Sequence, residues 1–146
     1  MPDYVIGEEI FRQYDPASNY IRRMDDPHAD GASANCWYAG VGNLNVHYSS
    51  GVGNHLFYLL SEGSGSKTIN GIKYNSTTCD GSKITGIGHE KAAAIWYKAL
   101  TENWVSTTDY HQARAGMLQA AKDLFGKKSN EYKTTDKAWA AVSVTP

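Results

Sequence analysis

Asn45-Val46-His47-Tyr48-Ser49-Ser50-Gly51 stands where an irregular, Gly- and Asn-rich stretch gives way to the apolar run Leu56, Phe57, Leu59 and Leu60. The change of pattern predicts a helix starting here, with Ser49 or Ser50 accepting hydrogen bonds from the free N–H groups of its first turn. His47 would then lie just ahead of that helix, held by the chain on both sides while its ring faces a cleft. A histidine so placed is a candidate catalytic group. Read from the heptapeptide alone, a boundary histidine without chemistry is the commoner case.

Downstream the helical signal continues. Ala92, Ile95, Trp96, Ala99 and Leu100 recur at helical spacing and predict a second helix from about Gly88. A third is expected to start at Thr107, Thr108 or Asp109, each able to cap it, and to run through Ala113, Met117, Ala120, Ala121 and Leu124 to Gly126, a good left-handed terminator. A fourth, from Ser129, places Tyr132, Thr135, Ala138, Trp139 and Val142 on one face. Between Glu62 and Gly86 a Gly/Ser/Thr/Asn-rich segment interrupts the helices and has room for a short hairpin. Upstream of residue 46, Pro16, Pro27 and clusters of Asp, Gly, Ser and Asn argue for loops and turns with brief helical pieces. The expectation is a mainly α domain spanning residues 1–146, an irregular N-terminal segment followed by about four packed helices.

The chain of 146 residues is long enough to bury a core without metal or disulfide staples. Its 14 basic and 15 acidic residues leave no electrostatic footprint for nucleic acid or an anionic membrane, and no apolar run approaches a membrane span. Charged residues are only 20% while Tyr, Trp, Gly, Ser, Asn and Thr abound, a composition associated with secreted hydrolases. Met1-Pro2-Asp3-Tyr4 lacks the parts of a signal peptide, so secretion would make this chain a piece of a longer precursor.

Cys36 and Cys79 are too far apart for a zinc knuckle or a redox Cys-x-x-Cys pair. A long-range disulfide fits better than two unrelated free thiols, which remain the alternative; closing such a loop stabilises by about 4 kcal/mol and indicates an oxidising compartment. His28, His55, His89 and His111 show no close zinc-ligand pairing, and His89-Glu90 begins like a zinc-peptidase helix but has Ala93 in place of the second histidine. Asp3, Glu8 and Glu9 are hard oxygen ligands at a spacing that can hold calcium if other oxygens converge; taken alone, solvated carboxylates are the commoner case. Asp25-Asp26-Pro27 could similarly bind a cation, but a turn with Asp before Pro needs no metal and none is assigned there.

Several stretches resemble the thermolysin-type zinc metallopeptidases in order and spacing: Pro2-Asp3-Tyr4-Val5-Ile6-Gly7-Glu8-Glu9-Ile10-Phe11, then Tyr20-Ile21-Arg22-Arg23-Met24-Asp25-Asp26-Pro27, then Val46-His47-Tyr48-Ser49-Ser50-Gly51-Val52. Gly86 to Lys91, Trp96 to Thr101 and Ala120 to Gly126 continue the likeness. Tyr-Ser-Ser after the histidine, with Cys36, is most similar to the actinobacterial secreted neutral proteases. The resemblance implies the mainly α C-terminal half of a two-domain enzyme, whose partner is the N-terminal catalytic domain of the same precursor and whose substrates are peptides or proteins. It also implies zinc, held by a His-Glu-x-x-His helix and a glutamate that this chain does not contain, so that the chain alone is inactive.

By the same resemblance His47 corresponds to the histidine that hydrogen-bonds the oxyanion, while zinc and a glutamate of the other half activate water. Arg22 corresponds to the arginine that binds the peptide carbonyl on the leaving-group side, a task suited to a permanently charged group with paired donors. Ile6, Ile10 and Ile21 correspond to walls of a pocket for a bulky apolar residue just after the cut. Asp3 and Glu8 fall on positions of a calcium cluster, with Val5 where some members have glutamate and Met1 where asparagine is usual. No aspartate stands between Ser33 and His47, where the family usually has one to orient the ring; Asn45, the nearest polar residue, can orient but adds no negative charge. Two other classes stay open: a stand-alone helical interaction or inhibitory domain, and an unrelated enzyme pairing His47 with a carboxylate such as Asp109.

Overall fold

A computed structural model describes residues 3–10 and 20–146. The first ordered device is a two-residue antiparallel ladder, β1 (Val5–Ile6) against β2 (Arg22–Arg23), which sets Ile6 opposite Arg22 and Val5 opposite Arg23. Short 3₁₀ turns at Pro27–Asp30 and Val41–Asn43 carry the chain to α1 (Val46–Ser49) and, after Ser50, to α2 (Gly51–Glu62). The hairpin β3 (Gly65–Ile69) and β4 (Ile72–Ser76) follows, and then α3 (His89–Lys98), α4 (Tyr110–Phe125) and α5 (Asn130–Ala141). The mainly α architecture and the hairpin between Glu62 and Gly86 are as the sequence predicts. Asn70 and Gly71, both at positive φ (51° and 80°), make the hairpin's two-residue turn, whose backbone twist matches that of the strands.

The helix starts differ in one place that matters. Ser50 has a helical backbone (φ −63°, ψ −15°) and makes no capping bond; its hydroxyl donates back to the His47 carbonyl at 3.2 Å. The cap is Asn45, whose side chain accepts from the His47 N–H at 3.0 Å, so His47 lies inside the first helical turn rather than ahead of it. Asp109 caps α4 in a reciprocal capping box with Gln112, and Ser129 caps α5 through the Tyr132 N–H.

α2 runs through the centre. Val52, Leu56, Leu59 and Leu60 are buried against Ala92 and Ile95 of α3, Met117, Ala120 and Ala121 of α4, and Ala138 and Trp139 of α5. Two residues expected in the apolar stripes are exposed: Leu100 at 53% and Leu124 at 44%. Leu100 misses the core because residues Ala99–Asn103 wind as a π turn, which rotates the register away from the 3.6-residue period. Leu124 sits in the last turn of α4, beyond the buried face. A second cluster, Tyr4, Tyr58 and Tyr74, stacks edge-on with ring centroids 4.9 and 6.0 Å from Tyr4, joining the N-terminal ladder to α2 and the hairpin.

Cys36 and Cys79 are bonded, joining the loop before α1 to the loop after β4. Among the described residues no helix is long and apolar enough to cross a membrane.

Candidate functional site

Asn45 has a single oxygen with two tasks. Oδ1 accepts the His47 main-chain N–H and lies 2.6 Å from His47 Nδ1. A main-chain N–H can only donate, so the atom facing the ring is an acceptor and Nδ1 must carry the proton. Nε2 is thereby directed away from Asn45, and among the described residues it has no hydrogen-bond partner. The short helix places this ring at the surface, with Val46 (72%) and Tyr48 (39%) exposed beside it.

Arg22 reaches the same point from the ladder. Nη1 donates to the Ile21 carbonyl at 2.8 Å and Nη2 to the His47 carbonyl at 3.0 Å, with the Asp30 carboxylate 4.0 Å from Nη1. Among the described residues the remaining guanidinium N–H groups make no further hydrogen bond. Burial pushes the Asp30 carboxyl up, but hydrogen bonds from the Ser33 hydroxyl and the Ser33 and Ala32 amides, with the Arg22 charge, outweigh it and hold the group below its ordinary value.

Ile6 and Ile21 adjoin Arg22, the first as its ladder partner and the second as its chain neighbour. The Ile21 N–H donates to the Ile6 carbonyl at 2.7 Å, extending the ladder by one bond. Gly7, at φ +82°, leaves the space that Ile21 fills: a Cβ there would stand 2.5 Å from Ile21 Cδ1. Ile6 is 46% exposed and half-buried Ile21 lies beside it; Ile10, on helical residues 8–10, is 57% exposed. The structure thus brings Ile6, Ile21, Arg22 and His47 together, and places Glu8 and Ile10 on helical residues just after β1. Asp3 uses Oδ1 to accept the Val5 N–H at 3.1 Å. Among the described residues no three His, Cys, Asp or Glu side chains converge as a metal site.

Behind the site is a buried polar network that sequence reasoning missed. Asp25, read as part of a turn, is 3% exposed and accepts from both Arg23 Nε (2.9 Å) and Nη2 (3.0 Å), while its Oδ2 accepts the Asn75 N–H. The hydrogen bond to Asp25, opposed by burial, raises the Arg23 pKa. Arg23 also donates to the Lys73 carbonyl and lies over the Tyr74 ring, 5.3 Å from its centroid. His55 is 1% exposed, with Nδ1 2.8 Å from the Asn35 carbonyl and Nε2 2.9 Å from that of Thr77 and 3.0 Å from Ser76 Oγ. The helical spacing of His55 with Val52, Leu56 and Leu59 is the signal that shows its burial.

The fold is a mainly α domain that sets an exposed histidine turn beside an arginine from a two-stranded ladder. A family model described as the thermolysin metallopeptidase, alpha-helical domain, matches residues 1–144, and the chain belongs to that family. Among curated relatives, it is 52% identical over 144 residues to a transglutaminase-activating metalloprotease of Streptomyces mobaraensis, covering 99% of this chain and 19% of that protein. It is 37% identical to a bacillolysin of Bacillus cereus (98% of this chain, 23% of the relative) and 37% identical to a thermolysin of Alicyclobacillus acidocaldarius subsp. acidocaldarius (98% and 24%). The chain spans about a fifth to a quarter of the length of these relatives.

Proposed function

We propose that residues 1–146 form one domain, the C-terminal, substrate-binding and transition-state-stabilising half of a secreted zinc metalloendopeptidase that cleaves before bulky apolar residues. The observation that carries the reading is the arrangement at Asn45, His47 and Arg22: a ring pinned at Nδ1 with Nε2 outward, on a helical turn held by a guanidinium that retains donors of its own. With Nδ1 protonated, Nε2 can donate only when the ring is an imidazolium, which is the form that stabilises an oxyanion. Arg22 would hold the substrate carbonyl on the leaving-group side, and exposed Ile6 and Ile10 with Ile21 would receive the apolar side chain after the cut.

The described residues do not fit zinc, so the ion and the water it activates are assigned to the N-terminal catalytic domain, and the isolated chain is expected neither to retain zinc on dialysis nor to cleave casein. Calcium, if bound, would draw on Asp3 and Glu8. Secretion accords with the disulfide, which persists in oxidising compartments. The test is His47→Ala in the zinc-loaded full-length protein. Loss of an oxyanion donor should lower kcat by roughly 10²–10³-fold with a smaller change in KM and zinc content intact. Wild-type kcat would remove His47 from the mechanism and favour an interaction or inhibitory domain on the same scaffold.

A further inference from the structure

All four tryptophans of the chain, Trp37, Trp96, Trp104 and Trp139, line one cavity of about 590 Å³. Its walls are fixed by the fold. Trp104 donates its indole N–H to the Ala113 carbonyl at 3.1 Å and packs edge-on against Trp96 at 5.1 Å; a Cβ on Gly116 would stand 2.6 Å from its Nε1. Trp139, 1% exposed, has an indole N–H with no acceptor among the described residues. Leaving such a donor unpaired costs stability that ordinary packing does not return.

The rim is apolar where the core would have been the ordinary place for it. The π turn Ala99–Asn103 turns Leu100 out to 53% exposure, and Val105 (69%) and Tyr38 (48%) stand beside the same cavity. A π turn carrying exposed apolar groups around a preformed aromatic cavity is an arrangement found at binding sites. No lysine or arginine lines it and Asp109 does, which disfavours an anionic ligand. The cavity reaches the C-terminal end of α1, two residues past His47: Ser49 and Ser50 line it, and Tyr110 on its wall donates to the Ser49 carbonyl at 2.8 Å and accepts the Gly53 N–H at 3.3 Å.

We propose that this cavity is an exosite that takes a bulky apolar, preferably aromatic, side chain of the protein substrate at a position remote from the scissile bond. The polypeptide occupant follows from the shared wall: a chain lying along α1 at His47 passes from Val46 and Tyr48 to Ser49 and Ser50 without leaving the surface. This inference rests on the reading of His47 as part of a peptide cleft.

The experiment uses the zinc-loaded full-length protein and twelve-residue fluorogenic peptides in which a single Phe, against Ala, is walked through every position. At one position not adjacent to the cut, Phe should lower KM about tenfold or more, the return from burying one aromatic side chain. Leu100→Asp and Val105→Asp, on the exposed rim, should each abolish that gain while leaving kcat/KM for a blocked dipeptide unchanged. Intrinsic fluorescence should report saturable binding of the best peptide in wild type and lose it in Leu100→Asp. Absence of a remote Phe effect, or its survival in both rim variants, overturns the exosite. A fluorescence change produced by indole or toluene but by no peptide also overturns it, in favour of a small-molecule site. His47→Ala separates the two ideas: should it keep wild-type kcat, the cleft assignment falls, whereas the exosite is judged by the Phe scan alone.

Discussion

Arg22 and His47 are joined through main chain: the guanidinium Nη2 donates to the His47 carbonyl at 3.0 Å while Nη1 holds the carbonyl of Ile21 at 2.8 Å. One side chain therefore ties the ladder end at Ile21 to the histidine's helical turn. Arg22→Ala should lower kcat/KM of the full-length protein by roughly 10–100-fold, the cost of releasing one partly buried and one exposed acceptor and losing a ligand donor. Arg22→Lys should recover little of it, because an ammonium cannot span both carbonyls in the fixed fork of a guanidinium. Steady-state kinetics of the two variants decide this.

Asn45 orients the His47 ring without supplying charge. Asn45→Asp keeps the acceptor for both the main-chain N–H and Nδ1 and adds a carboxylate that favours the imidazolium. The alkaline limb of the kcat/KM profile should move to higher pH, whereas Asn45→Ala should lower kcat with no such movement. Profiles measured from pH 5 to 9 on zinc-loaded protein distinguish the outcomes.

His55 gives a pH dependence of stability. Burial pushes its pKa down, against the carbonyls of Asn35 and Thr77 and the charges of Asp26 and Asp25, which push it up. Above about pH 6.5, the ordinary imidazole value, neither folded nor unfolded chain holds the proton. Below it the unfolded chain takes up a proton that the folded chain resists, so stability should fall as pH drops from about 6.5 towards the lower folded-state value. Urea unfolding at pH 7.5 and 5.5 should show that fall in wild type, and a smaller one in His55→Gln, which has no proton to gain. Asp30, Glu62, Asp80 and Glu131, all held below their ordinary values, act in a separate window below about pH 4.5.

Cys36 and Cys79 close a loop with a sequence separation of 43, for which chain entropy predicts about 4 kcal/mol. Cys36→Ser with Cys79→Ser should lower unfolding free energy by an amount in the range of roughly 2–5 kcal/mol. Mass spectrometry of unreduced, alkylated protein should find no free thiol in wild type.

Helices with caps and long stripes were legible: Asp109, Ser129 and Gly126 mark ends that the structure keeps, although Gly126 (φ 89°, ψ 149°) ends α4 outside the left-handed helical conformation expected of it. The start at Asn45 was not, because two successive helical turns meet at Ser50 without a break in backbone conformation, so the serines that look like caps have nothing to cap. Leu100 followed the 3.6-residue period in sequence but not in space, since a π turn is invisible to periodicity. Asn70-Gly71 was a stronger hairpin signal than the surrounding composition. At the site, the resemblance brought out His47, Arg22 and the isoleucines. Asp25 and Arg23 stayed hidden because their pairing depends on the hairpin main chain, which no local pattern encodes.

The covalent ring closed between Cys36 and Cys79 contains Asn45, His47, α2 and the whole hairpin. A single nick inside that ring, at the exposed hairpin turn for instance, opens the chain but releases no fragment: both new ends stay tethered, and α2 remains clamped in the core on either side. In a fluid crowded with peptidases, such a molecule can be cut once and still carry its histidine in place.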